Sequence, residues 1–187
     1  MNFIRNKGNQ GACFQIDSFS TLTDTDSVYS ENTANQGGVI FAINDSRFNF
    51  INARFSHNYA QGSGSVLYAM YNSHAKALSF SSCTFERNYA ELNLMQLMSS
   101  VAYIEHSKFV DNAAEIVNHG ITMITSSLDF ANSTVTNSEE FSATLTDEAL
   151  SSVDTGFFSL FLSSTITIRD HAKISNLKAL NQAVLSA

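Results

Sequence analysis

The chain repeats a short pattern, Phe-x-x-Asn-x-Ala, which occurs in full at Phe55–Ala60 and again at Phe85–Ala90. Looser copies extend it, so that an anchor residue recurs at positions 6, 32, 58, 88, 112, 138 and 177, at intervals of 26, 26, 30, 24, 26 and 39 residues. A unit of this length cannot bury its apolar face alone. The repeat therefore predicts supersecondary units that stack on one another.

Seven units are visible in this register. Ser138 takes the sixth anchor place, and the last unit is the least regular; its pattern is carried by Ile166, Ile168, Ile174, Leu177 and Ala179. The final interval is 13 residues longer than the usual 26, which indicates an insertion before the last unit. No linker-like composition divides the chain, so residues 1–187 are predicted to form one domain.

Apolar residues alternate within each unit, as in Phe48-x-Phe50 and Leu78-x-Phe80, which is the period of a strand with one buried face. A second apolar run, such as Val39-Ile40-Phe41, follows a turn of small residues. Units of about 26 residues are too short for a strand, a full helix and their turns. The sequence also has no proline, as suits paired strands. It predicts an all-β fold, a right-handed parallel β-helix solenoid of about seven coils.

This geometry gives the anchor asparagines a role, because equivalent residues one coil apart lie above one another. They are expected to form a ladder of side-chain amides that satisfies backbone groups at a bend. Its members are Asn6, Asn32, Asn58, Asn88 and Asn112. The aromatic residue three places before each anchor is expected to stack inside. We interpret the Asn ladder as structural, and a ligand site formed by the same row is the alternative.

The motif Phe-x-x-Asn, together with Gly37–Ile40, resembles the repeats of the polymorphic outer membrane proteins of intracellular bacteria and similar large repeat proteins of ciliates. The signatures of those repeats are Phe-x-x-Asn and Gly-Gly-Ala-Ile. The resemblance covers about residues 1–125 and departs at Tyr29, at Ser138 and at Leu92–Met95, where a Gly pair is missing. It implies a surface-exposed right-handed β-helix used for adhesion or display.

The net charge is −7, with 10 basic residues against 17 acidic ones, which disfavours binding to nucleic acid. No apolar window is long enough to span a bilayer, so no transmembrane segment is predicted. No charged-then-apolar signal begins the chain, so we expect that a leader has been removed or that this is an internal piece.

Cys13 and Cys83 are predicted to be buried, unpaired thiols. The stack would place them roughly 14 Å apart, which is too far for a disulfide bond. They leave the redox compartment open.

Insertions into a solenoid map to loops, where binding often lies. The longest insertion, residues 138–156, is acidic and has no basic residue; its acids are Glu139, Glu140, Asp147, Glu148 and Asp154. We consider it a candidate loop for a basic partner or a cation, and the alternative is a solvated flap or a short helix that caps one coil. A smaller break at 69–75 is expected to bulge outward.

Three other features of the sequence are candidate sites. Asp24 stands where the formula has an inward Phe, so we expect the register to slip locally and turn Asp24 and Asp26 to solvent. Asn44 begins a glycosylation sequon at a predicted bend, whereas the sequon at Asn132 overlaps a predicted strand. The five histidines share no repeated spacing, and Arg169-Asp170-His171 has no evident partner one coil away. No metal, cofactor or catalytic residue is therefore predicted.

These observations favour a non-catalytic structural or adhesive scaffold of a larger surface or extracellular assembly. Neither end carries a polar capping segment, so the chain is expected to be a fragment of a longer repeat protein, or to have other chains or further repeats stacked on its open ends. The alternative is a carbohydrate-binding or polysaccharide-degrading, pectate-lyase-like β-helix. An enzyme of that kind needs clustered carboxylates or bound calcium, for which the sequence gives no indication.

Overall fold

The computed structural model describes residues 1–74, 77–114, 120–138, 157–175 and 185–186, in which 24 strands and no helix occur. The chain is a parallel β-solenoid, and every strand pairs with the equivalent strand of the next coil. Three sheets form its sides and a short fourth sheet forms one corner. Within the described ranges the sheets hold seven, seven, six and four strands, so the complete turns are slightly fewer than the seven expected.

Sheet S1 follows each aromatic position of the repeat. Its strands are β1 (Asn2–Ile4), β4 (Val28–Ser30), β8 (Arg54–Ser56), β12 (Thr84–Glu86), β16 (Lys108–Val110), β20 (Thr134–Thr136) and β23 (Lys173–Ser175). Sheet S2 follows the small-residue turn. Its strands are β2 (Phe14–Ile16), β6 (Ile40–Ile43), β10 (Ser63–Met70), β14 (Asn93–Met98), β18 (Ile121–Ile124), β21 (Phe158–Phe161) and β24 (Leu185–Ser186).

Sheet S3 carries the alternating apolar residues of the formula. Its strands are β3 (Thr21–Thr25), β7 (Arg47–Ile51), β11 (Leu78–Ser81), β15 (Val101–Glu105), β19 (Ser127–Ala131) and β22 (Thr165–Arg169). Sheet S4 lies between S1 and S2 and follows the anchor asparagine. Its strands are β5 (Thr33–Ala34), β9 (Tyr59–Ala60), β13 (Tyr89–Ala90) and β17 (Ala113–Ala114).

The strand register matches the sequence formula residue by residue. Phe48 pairs with Leu78, and the same column continues through the later strands of S3 to Ile166. In S1, Val135 pairs with Ile174, so the irregular last unit also keeps its place. The repeat therefore fixes the register, because a slip of one residue would turn every apolar side chain to solvent.

The predicted aromatic stack fills the interior behind S1. Neighbouring rings are nearly parallel, with centroids 4.9, 4.9, 5.1 and 4.4 Å apart along the stack Phe3, Tyr29, Phe55, Phe85 and Phe109. Phe50 and Phe80 of S3 form a second column, and their rings meet the first column edge to face. Such alternation lets aromatic quadrupoles attract one another while burying large apolar areas.

Bends between the sheets use left-handed backbone conformations at residues other than glycine. The residue just before each anchor asparagine has φ between 51° and 57°, at Arg5, Glu31, His57, Arg87 and Asp111. This conformation costs an L-residue roughly 1 to 2 kcal/mol. The bends persist because strands on both sides are paired to the coils above and below, which fixes the backbone between them.

Asp24 contradicts the expected slip of register. It pairs with Phe50 in β7, so its side chain takes the inward position, although Asp26 is exposed as predicted. Ser27 Oγ donates to Asp24 Oδ1 at 2.7 Å, whereas Asp24 Oδ2 is buried without a hydrogen-bond partner. Pairing along the whole of β3 holds the register. Because β3 is the edge strand of S3 in the first coil, Asp24 is only partly buried, and the free-energy cost of desolvating its carboxylate is lower.

Two smaller expectations also need correction. The predicted outward bulge at 69–75 does not begin at Ala69, because Ala69 and Met70 belong to β10. Asn72 aligns with Ser46 and Ser100 of the neighbouring coils, so the extra residues of this coil come after Asn72 and before Leu78 in the sequence. The sequon at Asn132 agrees with its prediction: it begins at a bend with φ of 46° and overlaps β20 at Thr134, with Ser133 buried. The two cysteines are both free, but only Cys83 is buried; Cys13 is half-buried because it lies in the first coil.

Candidate functional site

The five anchor asparagines lie in one continuous hydrogen-bonded ladder. Each Nδ2 donates to the Oδ1 of the next asparagine, at 2.9 Å from Asn6, 3.0 Å from Asn32, 2.9 Å from Asn58 and 2.9 Å from Asn88. The same Oδ1 atoms accept the backbone N–H of the preceding asparagine at 3.0 to 3.1 Å. The ladder thus crosses five coils without a break.

The Asn ladder leaves its inner members no spare capacity for a ligand. The second N–H of Asn58 donates to the carbonyl of Tyr29 at 2.9 Å, and Asn32, Asn88 and Asn112 make the equivalent bond to the preceding coil. Asn32 and Asn58 are fully buried. Each uses two donors and two acceptor sites, which is the whole inventory of an amide.

Two further polar ladders line the other bends, and sequence reasoning missed both. In the first serine ladder, Cys83 N–H donates to Ser107 Oγ at 3.1 Å, and Ser107 N–H donates to Ser133 Oγ at 3.0 Å. The second serine ladder begins where Ser46 Oγ donates to Asn72 Oδ1 at 2.9 Å, and from Asn72 onward each backbone N–H donates to the next Oγ, as from Ser100 to Ser126 at 3.1 Å. Its members are Ser46, Asn72, Ser100, Ser126 and Ser164. The sequence signal for both ladders was the recurrence of small polar residues at intervals near 26 residues.

The acidic residues proposed for an interaction loop lie outside the described residues. They are Glu139, Glu140, Asp147, Glu148 and Asp154. At the start of this segment, Ser138 occupies the anchor place and donates from its N–H and its Oγ to the carboxylate of Asp111, at 2.6 and 3.0 Å. The same carboxylate lies 3.8 Å from Arg87 Nε.

Asn44 is exposed at a bend with φ of 57°, and its Nδ2 donates to Asp17 Oδ1 at 2.9 Å. The serine of its sequon, Ser46, is fully buried in the second serine ladder. Ser133, in the sequon at Asn132, is likewise buried. Of the two asparagines, Asn44 is the more exposed.

Charged side chains on the outer surface form pairs across coils. Arg5 Nε lies 2.7 Å from Glu31, and Arg54 Nη2 lies 2.6 Å from Glu86. The hydrogen bond from Arg5 holds the pKa of Glu31 below its ordinary value. Arg169 binds Asp129, one coil earlier, through two N–H groups at 2.9 Å, and it also binds Asp170. These hydrogen bonds raise the pKa of Arg169.

The Arg169 pair corrects the expectation that this segment has no partner one coil away. Because the guanidinium neutralises both carboxylates, Asp129 and Asp170 are held as ion-pair partners. Within the described part of the chain, no three side chains of the His, Cys, Asp and Glu types come together as a metal site would require.

No protein-family model, curated protein or solved structure matches this chain. Similarity to a known protein therefore assigns no site, and the geometry of the exposed faces has to do so. Among the described residues, no helix has the length and apolarity needed to cross a membrane.

The outer surface of S4 carries two stacked tyrosines beside a shallow patch lined by side-chain amides. One outward column runs Lys7, Thr33, Tyr59 and Tyr89, and it is continued by Ala113, which is buried. Two residues further along the chain, Asn9, Asn35 and Gln61 form a second outward row, and Gln10 and Gln36 stand beside it. We call these columns together the amide–tyrosine face. Replacement of Asn by Gln from coil to coil hid this row in the sequence.

Proposed function

We propose that this chain is a non-catalytic structural or adhesive scaffold in a larger surface or extracellular assembly, to which it contributes a rigid β-helical segment. The observation that carries the proposal is the state of the two end coils. Among the described residues, eight apolar side chains that pack on the core are only partly buried, and they lie in the first coil or in the last two: Phe3, Cys13, Phe14, Leu22, Leu160, Ile166, Ala172 and Ile174.

The middle coils differ sharply from the ends. Phe48 and Phe80, in the same columns as end-coil residues, are 2% and 0% exposed. At one end, β1, β2 and β3 each have only one paired edge. Unpaired edges next to a half-exposed core favour the addition of another coil. The partner that fits is therefore a further parallel coil, from a second chain or from more repeats.

The interior supports a scaffold role in a second way. The buried amides of the Asn ladder and the buried hydroxyl groups of the serine ladders form hydrogen bonds within and between coils, so these groups hold the fold. This arrangement also supports the resemblance to polymorphic outer membrane repeat proteins at the level of a solenoid. We extend the proposal to a surface or extracellular location, with Asn44 as the position for a glycan if the chain is secreted.

A pair of variants tests end-to-end stacking. Leu22→Lys places a charge on the partly buried end column, whereas the control Thr23→Lys places it on the exposed side of the same strand. Sedimentation velocity is measured over a wide range of concentrations. We expect the unaltered chain and Thr23→Lys to self-associate as concentration rises and Leu22→Lys to remain monomeric, since a desolvated unpaired charge opposes burial.

Two results would contradict this proposal. One is an unaltered chain that stays monomeric throughout the range of concentrations. The other is equal association of Leu22→Lys and Thr23→Lys. A folded far-UV circular dichroism spectrum of each variant is the control for structural damage.

A further inference from the structure

The amide–tyrosine face combines an aromatic ring with rows of side-chain amides. Tyr59 and Tyr89 lie on neighbouring coils with ring centroids 5.8 Å apart and planes 10° from parallel. On its other side, Tyr59 meets the small Thr33 of the preceding coil. One face of the Tyr59 ring is therefore backed by Tyr89, and the neighbour of Tyr59 on the opposite side of the column is the shorter side chain of Thr33.

The amide rows run along the same face of the solenoid. Asn35 Nδ2 donates to Asn9 Oδ1 at 2.6 Å, and Gln10 Nε2 donates to Gln36 Oε1 at 3.3 Å. These two bonds hold the rows in order but use only part of each amide. Asn35 Oδ1 and Gln36 Nε2 form no hydrogen bond with any described residue. Gln61 is exposed, and neither its Oε1 nor its Nε2 forms a hydrogen bond with a described residue.

The spacing of these groups fits a chain of sugar rings. Equivalent residues on adjacent coils are about 4.8 Å apart. Gln61 and Asn35 are related in this way, and Gln61 lies at the bend directly after β9, two residues beyond Tyr59. An apolar ring face flanked by donors and acceptors at this spacing matches a pyranose, which has one apolar face and a rim of hydroxyl groups.

The few charged residues on the amide–tyrosine face and the acidic net charge of the chain favour a neutral ligand. The face has one basic residue, Lys7, at one side and one acidic residue, Glu91, after β13 at the other. The whole chain is acidic, at −7. An anionic polymer would gain nothing from this surface and would be repelled by the rest of the molecule.

We propose that the amide–tyrosine face binds a neutral polysaccharide, with Tyr59 as the platform for one sugar ring and Asn35, Gln36 and Gln61 as its hydroxyl-binding groups. The glycan lies along the side of the solenoid, on a surface separate from the ends used for stacking. The site therefore does not depend on the scaffold proposal, and each can fail without the other.

Isothermal titration calorimetry with defined hexasaccharides tests the site. The probes are β-1,4-linked hexamers of glucose, xylose, mannose and N-acetylglucosamine, with hexagalacturonate as the anionic comparison. We expect at least one neutral probe to bind with a Kd below about 1 mM, and hexagalacturonate not to bind. Tyr59→Ala should weaken binding by about 10-fold or more, and Gln61→Ala by about 3-fold.

Two further variants keep the test decisive. Tyr59→Phe retains the ring and should bind within about 3-fold of the unaltered chain, which separates stacking from loss of fold. Tyr71→Ala removes an exposed tyrosine at a different corner and should change nothing. The proposal is overturned if no neutral hexasaccharide binds at about 5 mM, if hexagalacturonate alone binds, or if Tyr71→Ala weakens binding as much as Tyr59→Ala.

Discussion

The anchor asparagine is the residue on which the fold depends most. The side-chain amide of an inner member such as Asn58 donates to Asn88 Oδ1 and to the Tyr29 carbonyl. Its Oδ1 accepts from the backbone N–H and from the side-chain Nδ2 of Asn32. Removing that amide therefore leaves several buried groups unsatisfied at once. Each such group costs about 1 to 3 kcal/mol.

We expect Asn58→Ala to lower the free energy of unfolding by about 3 to 5 kcal/mol. Asn6→Ala is the matched control, because Asn6 is half-buried at the end of the Asn ladder and its side chain serves Asn32 alone among the anchors. It should cost about 1 kcal/mol. Urea denaturation followed by circular dichroism measures both, and equal costs would argue against a ladder that is most constrained in its middle.

A second residue-scale prediction concerns the Cys83 thiol. Burial raises its pKa from the ordinary value of 9.0 to about 11. The unfolded chain therefore ionises first, so stability that is present below pH 9 is lost as the pH rises toward 11. This contribution amounts to roughly 2 to 3 kcal/mol, at 1.36 kcal/mol for each pKa unit.

Unfolding free energies at pH 8 and pH 11 test the Cys83 prediction. The loss between the two should be smaller in Cys83→Ala than in the unaltered chain by about that amount. Other buried groups, such as Tyr68, contribute to both proteins and cancel in the comparison. An identical loss in the two proteins would show that the thiol ionises normally in the folded state.

At the scale of strands and bends, the sequence predicts those features whose residues recur with the repeat of about 26 residues. Paired strands, the Asn ladder and the aromatic stack all rest on Phe and Asn, which stand out against the rest of the sequence. The serine ladders were missed because Ser occurs throughout this chain. The amide rows on S4 were missed because Asn35 is replaced by Gln61 one coil later.

Bends were less predictable than strands because local preference does not determine them. Arg87 and His57 adopt left-handed conformations that their own chemistry disfavours, and the pairing of flanking strands imposes them. Asp24 gives the same lesson. The expected slip would have spared one carboxylate, but it would have broken the register of all of β3.

Gly37 allows a prediction for one bend. It has φ of 60°, and a Cβ there would lie 2.1 Å from the carbonyl oxygen of Ile40, a backbone atom that cannot move away easily. We expect Gly37→Ala to destabilise the fold by more than about 2 kcal/mol. The control is Gly62→Ala, whose nearest contact would be 3.2 Å and whose φ is not positive; it should cost less than about 1 kcal/mol. Thermal unfolding of both variants decides, and similar midpoints would refute the assigned strain.

On the scale of the whole molecule, stability should vary along the solenoid axis, since each coil contacts only its neighbours. Middle strands such as β8 and β12 have two paired edges, whereas β1 and β3 have one. We expect amide exchange measured by NMR at low protein concentration to be about 100-fold slower in the middle strands. Uniform protection from β1 to β12 would mean that the coils unfold as one unit.

The Asn ladder also has a direction. Every side-chain bond in it points the same way, from Asn6 toward Asn112, so the amide dipoles add along the solenoid. Asn6 Oδ1 accepts no hydrogen bond from a described residue and faces outward at the first coil, where it can only receive a donor. A chain that joins there must present the opposite end of its own row. In the end-to-end stacking proposed above, head-to-tail addition is therefore favoured over a symmetric pair, and repeated addition of this kind would give an open filament with distinguishable tips.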